Sequence, residues 1–106
     1  KNYKPLKKVN INSIADSLSA PLHMPYSFSI CKKIINEIVT VSDQEMKKSM
    51  RFMFDNYKVA LEPACVAGIA ALRGPLKNKF QNQNTLIILC GSNIDMKNWV
   101  ELTNDQ

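Results

Sequence analysis

The sequence has few of the residues that usually mark a metal site or a disulfide framework. It contains three cysteines and one histidine among 106 residues. The cysteines, Cys31, Cys65 and Cys90, are odd in number and lie far apart, which argues against both a disulfide framework and a zinc site. Free thiols of this kind are typical of a reducing, intracellular compartment, and we expect the cytoplasm.

Arginine is scarce as well, although the formal net charge is +5. Arg51 and Arg73 are the only arginines, and the lysines are dispersed along the chain. A nucleic-acid interface favours a concentrated basic stripe with arginine or aromatic partners. The dispersed lysines therefore predict a solvated surface and no nucleic-acid partner.

Long apolar runs are also missing. No stretch of about 18 apolar residues occurs, so the sequence predicts no membrane-spanning segment and no membrane partner. The hydrophobic content of 45% is enough for one modest domain. Because the sequence begins with Lys1 and not with methionine, we expect it to be part of a longer protein or a processed product.

Two helices are predicted in the first half of the chain. Phe28, Cys31, Ile34 and Ile35 recur at helical spacing, with Ser27 as the expected N-cap. The SDQE motif at residues 42–45 is a capping box. It opens a helix whose apolar stripe consists of Met46, Met50, Met53 and Phe54. This spacing favours a stripe that faces the core, and a promiscuous binding face is the alternative.

Two further helices are predicted after residue 60. Residues 63–72 are almost all small or apolar, which indicates a helix buried on most sides, with Pro63 in its first turn. Gly74 should end it. Residues 96–102 predict a short final helix in which Trp99 packs inward.

Two strands complete the predicted order of elements. Residues 37–41 alternate between Val or Ile and polar side chains, and residues 85–89 are apolar on both faces. The order α, β, α, α, β, α predicts an α/β fold with a parallel or mixed sheet.

Chemistry is expected where the second strand ends. In open α/β sheets ligands bind beyond the carboxyl ends of strands, and Cys90 stands there, followed by Gly91. Gly91 allows close backbone approach, and Asn93 and Asp95 can stabilise a turn. By itself Cys90 is more often a small core residue than a nucleophile.

Blocks of this sequence resemble the threonine and serine dehydratase family. The family is pyridoxal-phosphate dependent and has the tryptophan-synthase-β-like fold, called fold type II, which implies a three-layer αβα sheet. Typical family versions are TIADG, VSDEEI, EPAGA and LSGGN. The matching blocks here are SIADSLSAPL (13–22), EIVTVSDQEM (37–46), LEPACVAGIAAL (61–72) and TLIILCGSNID (85–95).

The resemblance assigns cofactor contacts to this chain but no catalytic residue. Cys90 stands where the family commonly has the serine that faces the pyridine nitrogen of pyridoxal 5′-phosphate, and Gly91 matches its neighbour. Glu62 matches a glutamate near the cofactor ring, although a helix-start carboxylate favoured by the dipole is an equal alternative. Cys65 replaces a smaller residue and is expected in the core.

The missing parts of the family pattern suggest a partial domain. The Schiff-base lysine and the Gly-rich phosphate loop lie upstream in the family, so we expect residues 1–106 to be a single incomplete domain, the C-terminal part of the catalytic domain. Two further residues, Ser17 and His23, could affect the site. Ser17 replaces a glycine after Asp16 and would be strained if that position needs positive φ. A catalytic role for His23 is not favoured.

The implied activity is a β-elimination. A complete enzyme of this kind would take an amino-acid substrate, L-threonine or L-serine, and convert it to a 2-oxo acid and ammonia. We expect the complete enzyme to be a homodimer or tetramer. The alternatives are serine racemase or another hydroxyamino-acid lyase, a non-catalytic remnant or interaction module, and a reactive-thiol protein centred on Cys90.

Overall fold

Helices are the only regular elements in the part of the chain that the computed structural model describes, residues 10–20 and 22–104. The chain divides into two compact units, Lys1–Ile38 and Val39–Gln106. The elements are a 3-10 turn at Asp16–Leu18, α1 at Pro25–Ile34, α2 at Asp43–Tyr57, a 3-10 turn at Ala64–Val66, α3 at Ala67–Arg73 and α4 at Met96–Asn104.

The first unit contains α1, which begins earlier than predicted. Met24 is the N-cap and Pro25 occupies the first turn, so the prediction of Ser27 as the cap was wrong. Proline is suited to this position because its missing N–H would have no partner there. The Ser27 hydroxyl instead donates to the Met24 carbonyl at 3.1 Å, which ties it back to the first turn.

The second unit opens with the predicted capping box, which the structure confirms. The Ser42 side chain accepts a hydrogen bond from the Glu45 backbone N–H at 3.2 Å. In return the Ser42 N–H donates to Glu45 Oε2 at 2.6 Å. This bond, followed by the one from the Ser42 hydroxyl, holds the pKa of Glu45 below its ordinary value of 4.5. Two donors at the start of α2 are thereby satisfied.

We expect Ser42→Ala to lower the free energy of unfolding by about 1 kcal/mol near neutral pH. The effect should shrink in acid. Because the folded pKa of Glu45 is lowered, its carboxylate stabilises the fold above pH 4.5, and that contribution disappears as the pH falls through the lowered value. Urea denaturation at neutral and acidic pH measures both effects. Thr40→Ala, an exposed change just before the box, should be nearly neutral, and an equal cost for the two variants would contradict the prediction.

The core of the second unit is built around α2. Met46, Met50 and Met53 are buried, and α2 packs against both α3 and α4. The prediction of a core-facing methionine stripe is therefore confirmed. Phe54 remains partly exposed, and its ring lies 4.9 Å from that of Trp99. Trp99 is itself buried, as predicted, so α4 is held against α2 by an aromatic pair.

Helix α3 is shorter and less enclosed than predicted. Residues 64–66 form a 3-10 turn, and the α-helix runs from Ala67 to Arg73 with Gly74 as its C-cap. Ala70 and Ala71 are buried, whereas Gly68 is exposed. The predicted end at Gly74 is confirmed, but the helix is buried on one face only.

Neither predicted strand, 37–41 or 85–89, is assigned within the described residues. A strand needs hydrogen bonds to a neighbouring strand, and neither segment has such a neighbour in the part described. The side chain of Leu86 is 91% exposed and that of Ile88 is 78% exposed. The segment is thus apolar on both faces, as predicted, but it is not part of a sheet in this structure.

None of the described helices combines the length and the apolar character needed to cross a membrane.

Candidate functional site

The segment that ends at Cys90 lies against the start of α3. A Cβ atom placed on Gly68 would come within 2.9 Å of Ile87 Cγ2. Because glycine leaves this space free, Ile87 can pack directly on the helix backbone. The free thiol of Cys90 follows at the end of the segment and is exposed. The packing of Ile87 therefore brings the predicted contact residue Cys90 close to the turn that precedes α3.

A turn at residues 62–65 lies next to Gly91, the residue that follows Cys90. The Glu62 carbonyl accepts a hydrogen bond from the Cys65 N–H at 3.1 Å, and the Pro63 carbonyl accepts one from the Val66 N–H at 3.3 Å. Pro63 has φ −55°, which its ring imposes and which suits this turn. The sequence EPAC therefore leads directly into the 3-10 turn and α3.

Both backbone polar groups of Gly91 bond to this turn. The Gly91 N–H donates to Cys65 Sγ at 3.3 Å, and the Gly91 carbonyl accepts from the Glu62 N–H at 3.5 Å. These bonds among Glu62, Cys65 and Gly91 join two parts of the chain that are far apart in sequence.

The Glu62 side chain occupies the space where Gly91 lacks a Cβ. A Cβ atom built on Gly91 would lie 2.8 Å from the Glu62 carboxyl carbon and closer still to Oε1. Gly91 does not have a positive φ, so what its missing side chain allows is the close approach of Glu62 and not a left-handed turn. The half-buried carboxylate of Glu62 is thereby held beside the backbone that follows Cys90.

Cys65 contributes more than the core residue that the sequence predicted. It is 2% exposed, which confirms a core position, and its sulfur is also the acceptor for Gly91. The only indication in the sequence was that a thiol stands where the family commonly has a smaller residue. A sulfur atom is a weak acceptor, so sequence alone gave no reason to expect the bond.

Asp95 acts as the predicted turn residue. Its Oδ1 accepts from the Asn98 N–H at 3.0 Å, which caps the start of α4. Asn93 is exposed, and Ser92 accepts from the Ile94 N–H at 2.8 Å in a tight turn. The residues after Gly91 therefore change the chain direction and lead into α4.

The other residues singled out in the sequence lie in the first unit. Asp16 Oδ1 accepts from the Ser17 N–H at 2.7 Å, and Ser17 does not have a positive φ. The strain considered for Ser17 is therefore absent. His23 packs edge-on against Phe28, with ring centroids 5.9 Å apart. This contact agrees with a packing role for the His23 ring.

Within residues 10–20 and 22–104, no group of three or more histidine, cysteine, aspartate or glutamate side chains is arranged to hold a metal ion.

Comparison with known proteins identifies the family. A sequence profile described as "Pyridoxal-phosphate dependent enzyme" matches residues 1–91. The chain belongs to this pyridoxal-phosphate dependent enzyme family. The fold of the family is α/β, which agrees with the predicted class at that level. The resemblance drawn from the blocks is thus confirmed, and so is the cofactor of the family.

Several curated relatives are similar to most of this chain. Phenylserine dehydratase of Ralstonia pickettii is 43% identical over 91 residues, which are 86% of this chain and 28% of the relative. L-threo-3-hydroxyaspartate ammonia-lyase of Pseudomonas sp is 38% identical over 90 residues, 85% of this chain and 28% of the relative.

Serine racemase of Schizosaccharomyces pombe is 33% identical over 87 residues, which are 82% of this chain and 27% of the relative. The chain therefore spans a little over a quarter of the length of these relatives.

Proposed function

We propose that the chain is the C-terminal part of the catalytic domain of a pyridoxal-phosphate dependent lyase that removes water from a 3-hydroxy amino acid. The products would be a 2-oxo acid and ammonia. The observation that carries this proposal is the shared chemistry in the names of the relatives. Phenylserine and threo-3-hydroxyaspartate both carry a hydroxyl on the carbon next to the α-carbon, and so do threonine and serine, the substrates that the sequence suggested.

The residues that would hold the cofactor are Cys90, Gly91 and Glu62. When bound, pyridoxal phosphate supplies an electron-withdrawing ring that stabilises negative charge at the substrate α-carbon. Because Gly91 has no side chain, the Glu62 carboxylate can lie directly against the backbone that follows Cys90. Glu62, half-buried beside Gly91, would form part of the wall of the site.

Cys90 would meet the pyridine nitrogen with a neutral group. A carboxylate at this position would hold a proton on that nitrogen, whereas a thiol does not. A thiol at position 90 would leave the bound ring less strongly electron-withdrawing than a carboxylate would, which suits β-elimination better than reactions that need a long-lived carbanion. Because a thiol bonds more weakly than the hydroxyl common in the family, Cys90 should hold the cofactor somewhat less tightly.

Racemisation of serine is the second candidate activity. It is favoured by the similarity to a protein named serine racemase, which is 33% identical over the matched residues. The dehydratases and ammonia-lyases with 43% and 38% identity favour elimination. A non-catalytic remnant remains the outcome if neither reaction occurs.

The predicted sheet belongs to this proposal. We propose that residues 85–89 form a strand of a parallel or mixed sheet in the complete protein. This is supported by the exposure of Leu86 and Ile88 on an apolar segment, since a central strand is covered by helices on both faces. A cytoplasmic location and a homodimer or tetramer complete the proposal.

The test uses the complete gene product that carries these residues, with pyridoxal phosphate supplied. We expect release of 2-oxo acid from threonine, serine, phenylserine or 3-hydroxyaspartate, and none from alanine, which lacks the hydroxyl. Chiral chromatography of serine incubations measures racemisation. Cofactor-dependent racemisation without 2-oxo acid would replace the proposal by the second candidate, and inactivity on every substrate would refute both.

Two variants connect that activity to this chain. Cys90→Ala should raise the Kd for pyridoxal phosphate about threefold to tenfold, because one hydrogen bond is lost. Cys90→Ser, which restores a hydroxyl, should bind at least as tightly as the wild type. Equal affinity of the alanine variant and the wild type would remove Cys90 from the cofactor site.

A further inference from the structure

We propose that Cys65 is a positioning residue that fixes the Cys90–Gly91 peptide and thereby aims Cys90 at the cofactor. The inference rests on the proposed function, in which Cys90 meets the pyridine nitrogen. It adds to that proposal a residue that would act without touching the cofactor itself.

The bond from Gly91 to Cys65 constrains Cys90 because of the way a peptide is built. The donating N–H of Gly91 belongs to the same planar unit as the Cα and carbonyl of Cys90. When that N–H is held 3.3 Å from Cys65 Sγ, rotation of the unit is restricted. The direction in which the Cys90 side chain leaves the backbone is restricted with it.

The acceptor is itself held in place. Cys65 is 2% exposed, and its N–H donates to the Glu62 carbonyl at 3.1 Å. The same turn also binds the Gly91 carbonyl through the Glu62 N–H at 3.5 Å. Both backbone polar groups of Gly91 are therefore bonded to one short turn, and of these two bonds only the one to sulfur depends on a side chain.

A side chain without an acceptor atom at position 65 could not accept this bond. Alanine would remove the side-chain acceptor and leave the Gly91 N–H without this partner, which costs free energy when the group is not hydrated. Serine would restore an acceptor oxygen, at a somewhat shorter reach than sulfur. The pair of variants therefore separates hydrogen bonding from packing.

The experiment compares Cys65→Ala and Cys65→Ser in the complete protein. One measurement is the Kd for pyridoxal phosphate, from the change in cofactor absorbance on binding. The other is the exchange rate of the Gly91 amide in the cofactor-free protein. Labelling cysteine with ¹³C and glycine with ¹⁵N selects cysteine–glycine peptides, and within this chain Cys90–Gly91 is the one such pair.

For Cys65→Ala we expect the Kd to rise about threefold to tenfold and Gly91 to exchange faster by a similar factor. Cys65→Ser should recover most of both losses. Two controls accompany them: Ala71→Gly, which weakens a buried position of α3 without touching Gly91, and Cys31→Ala, which removes a thiol from the other unit. Both should leave the Kd and the exchange rate within about twofold of the wild type.

Three results would overturn the inference. The first is an unchanged Kd and exchange rate in Cys65→Ala. The second is an Ala71→Gly variant that matches Cys65→Ala in both measurements, because loss of stability alone would then explain them. The third is a wild-type protein that binds no pyridoxal phosphate. This result would refute both the proposed function and the proposal that Cys65 orients Cys90 toward the cofactor. In that case the exchange rate still decides whether the thiol holds Gly91.

Discussion

Replacing Met50 by alanine is expected to lower the free energy of unfolding by about 2–5 kcal/mol. Met50 is 0% exposed and lies in α2, the helix that packs against both α3 and α4. Truncation removes buried apolar surface and leaves a cavity that the surrounding helices fill only in part. Since a domain is commonly stable by only about 5–15 kcal/mol, this single change would remove a large share of its stability.

Met96 provides the matched control for Met50. It is also a helical methionine, but it is 64% exposed at the start of α4. Met96→Ala should change the free energy of unfolding by no more than about 0.5 kcal/mol. Urea denaturation followed by circular dichroism measures both variants. A small, equal effect of the two substitutions would show that α2 does not carry the core in the complete protein.

The features that could be predicted from sequence depend on residues close together in the chain. The capping box needs only Ser42 and Glu45, three positions apart on one turn of helix. The end of α3 follows from Gly74 in the same way. The inward stripe of α2 follows from helical spacing alone, and its burial required no knowledge of which helices would cover it.

The predicted strands show where local information ends. Residues 85–89 have the composition of a central strand, but a strand exists only when another segment supplies hydrogen bonds to it. No such segment lies within the described residues, so composition alone could not produce a sheet. The start of α1 was missed for a different reason: Ser27 is a good cap by type, but Pro25 already fits the first turn.

The members of the candidate site remain a prediction, and the contacts between them were not predicted. Resemblance to a family named Glu62, Cys90 and Gly91, each by its position in a motif. That Glu62 packs against Gly91, and that Cys65 bonds to it, depends on how the turn at residues 62–65 meets the end of the 84–90 segment. This is a tertiary relation between distant residues, and no spacing within the sequence records it.

The contact between Gly91 and Glu62 leads to a second large expected effect. Gly91→Ala should lower the affinity for pyridoxal phosphate and kcat/KM about tenfold, which corresponds to about 1.4 kcal/mol, because the flexible Glu62 side chain gives way to the new methyl group and its proposed contact is lost. The new Cβ would lie 2.8 Å from the Glu62 carboxyl carbon, so the Glu62 side chain must leave its place beside Gly91 and the proposed cofactor contact. Ser92→Ala, a change at the next, exposed residue, should stay within about twofold of the wild type.

A double-mutant cycle tests whether the Glu62 carboxylate causes that effect. In a Glu62→Ala background the space beside Gly91 is empty, so adding Gly91→Ala should cost less than about threefold. Cofactor titration and steady-state kinetics on the two single variants and the double variant give the coupling. If Gly91→Ala costs as much without the carboxylate as with it, the collision is not the cause. The requirement for glycine would then lie in the ligand that approaches this backbone, and Glu62 would keep only its role at the start of the turn.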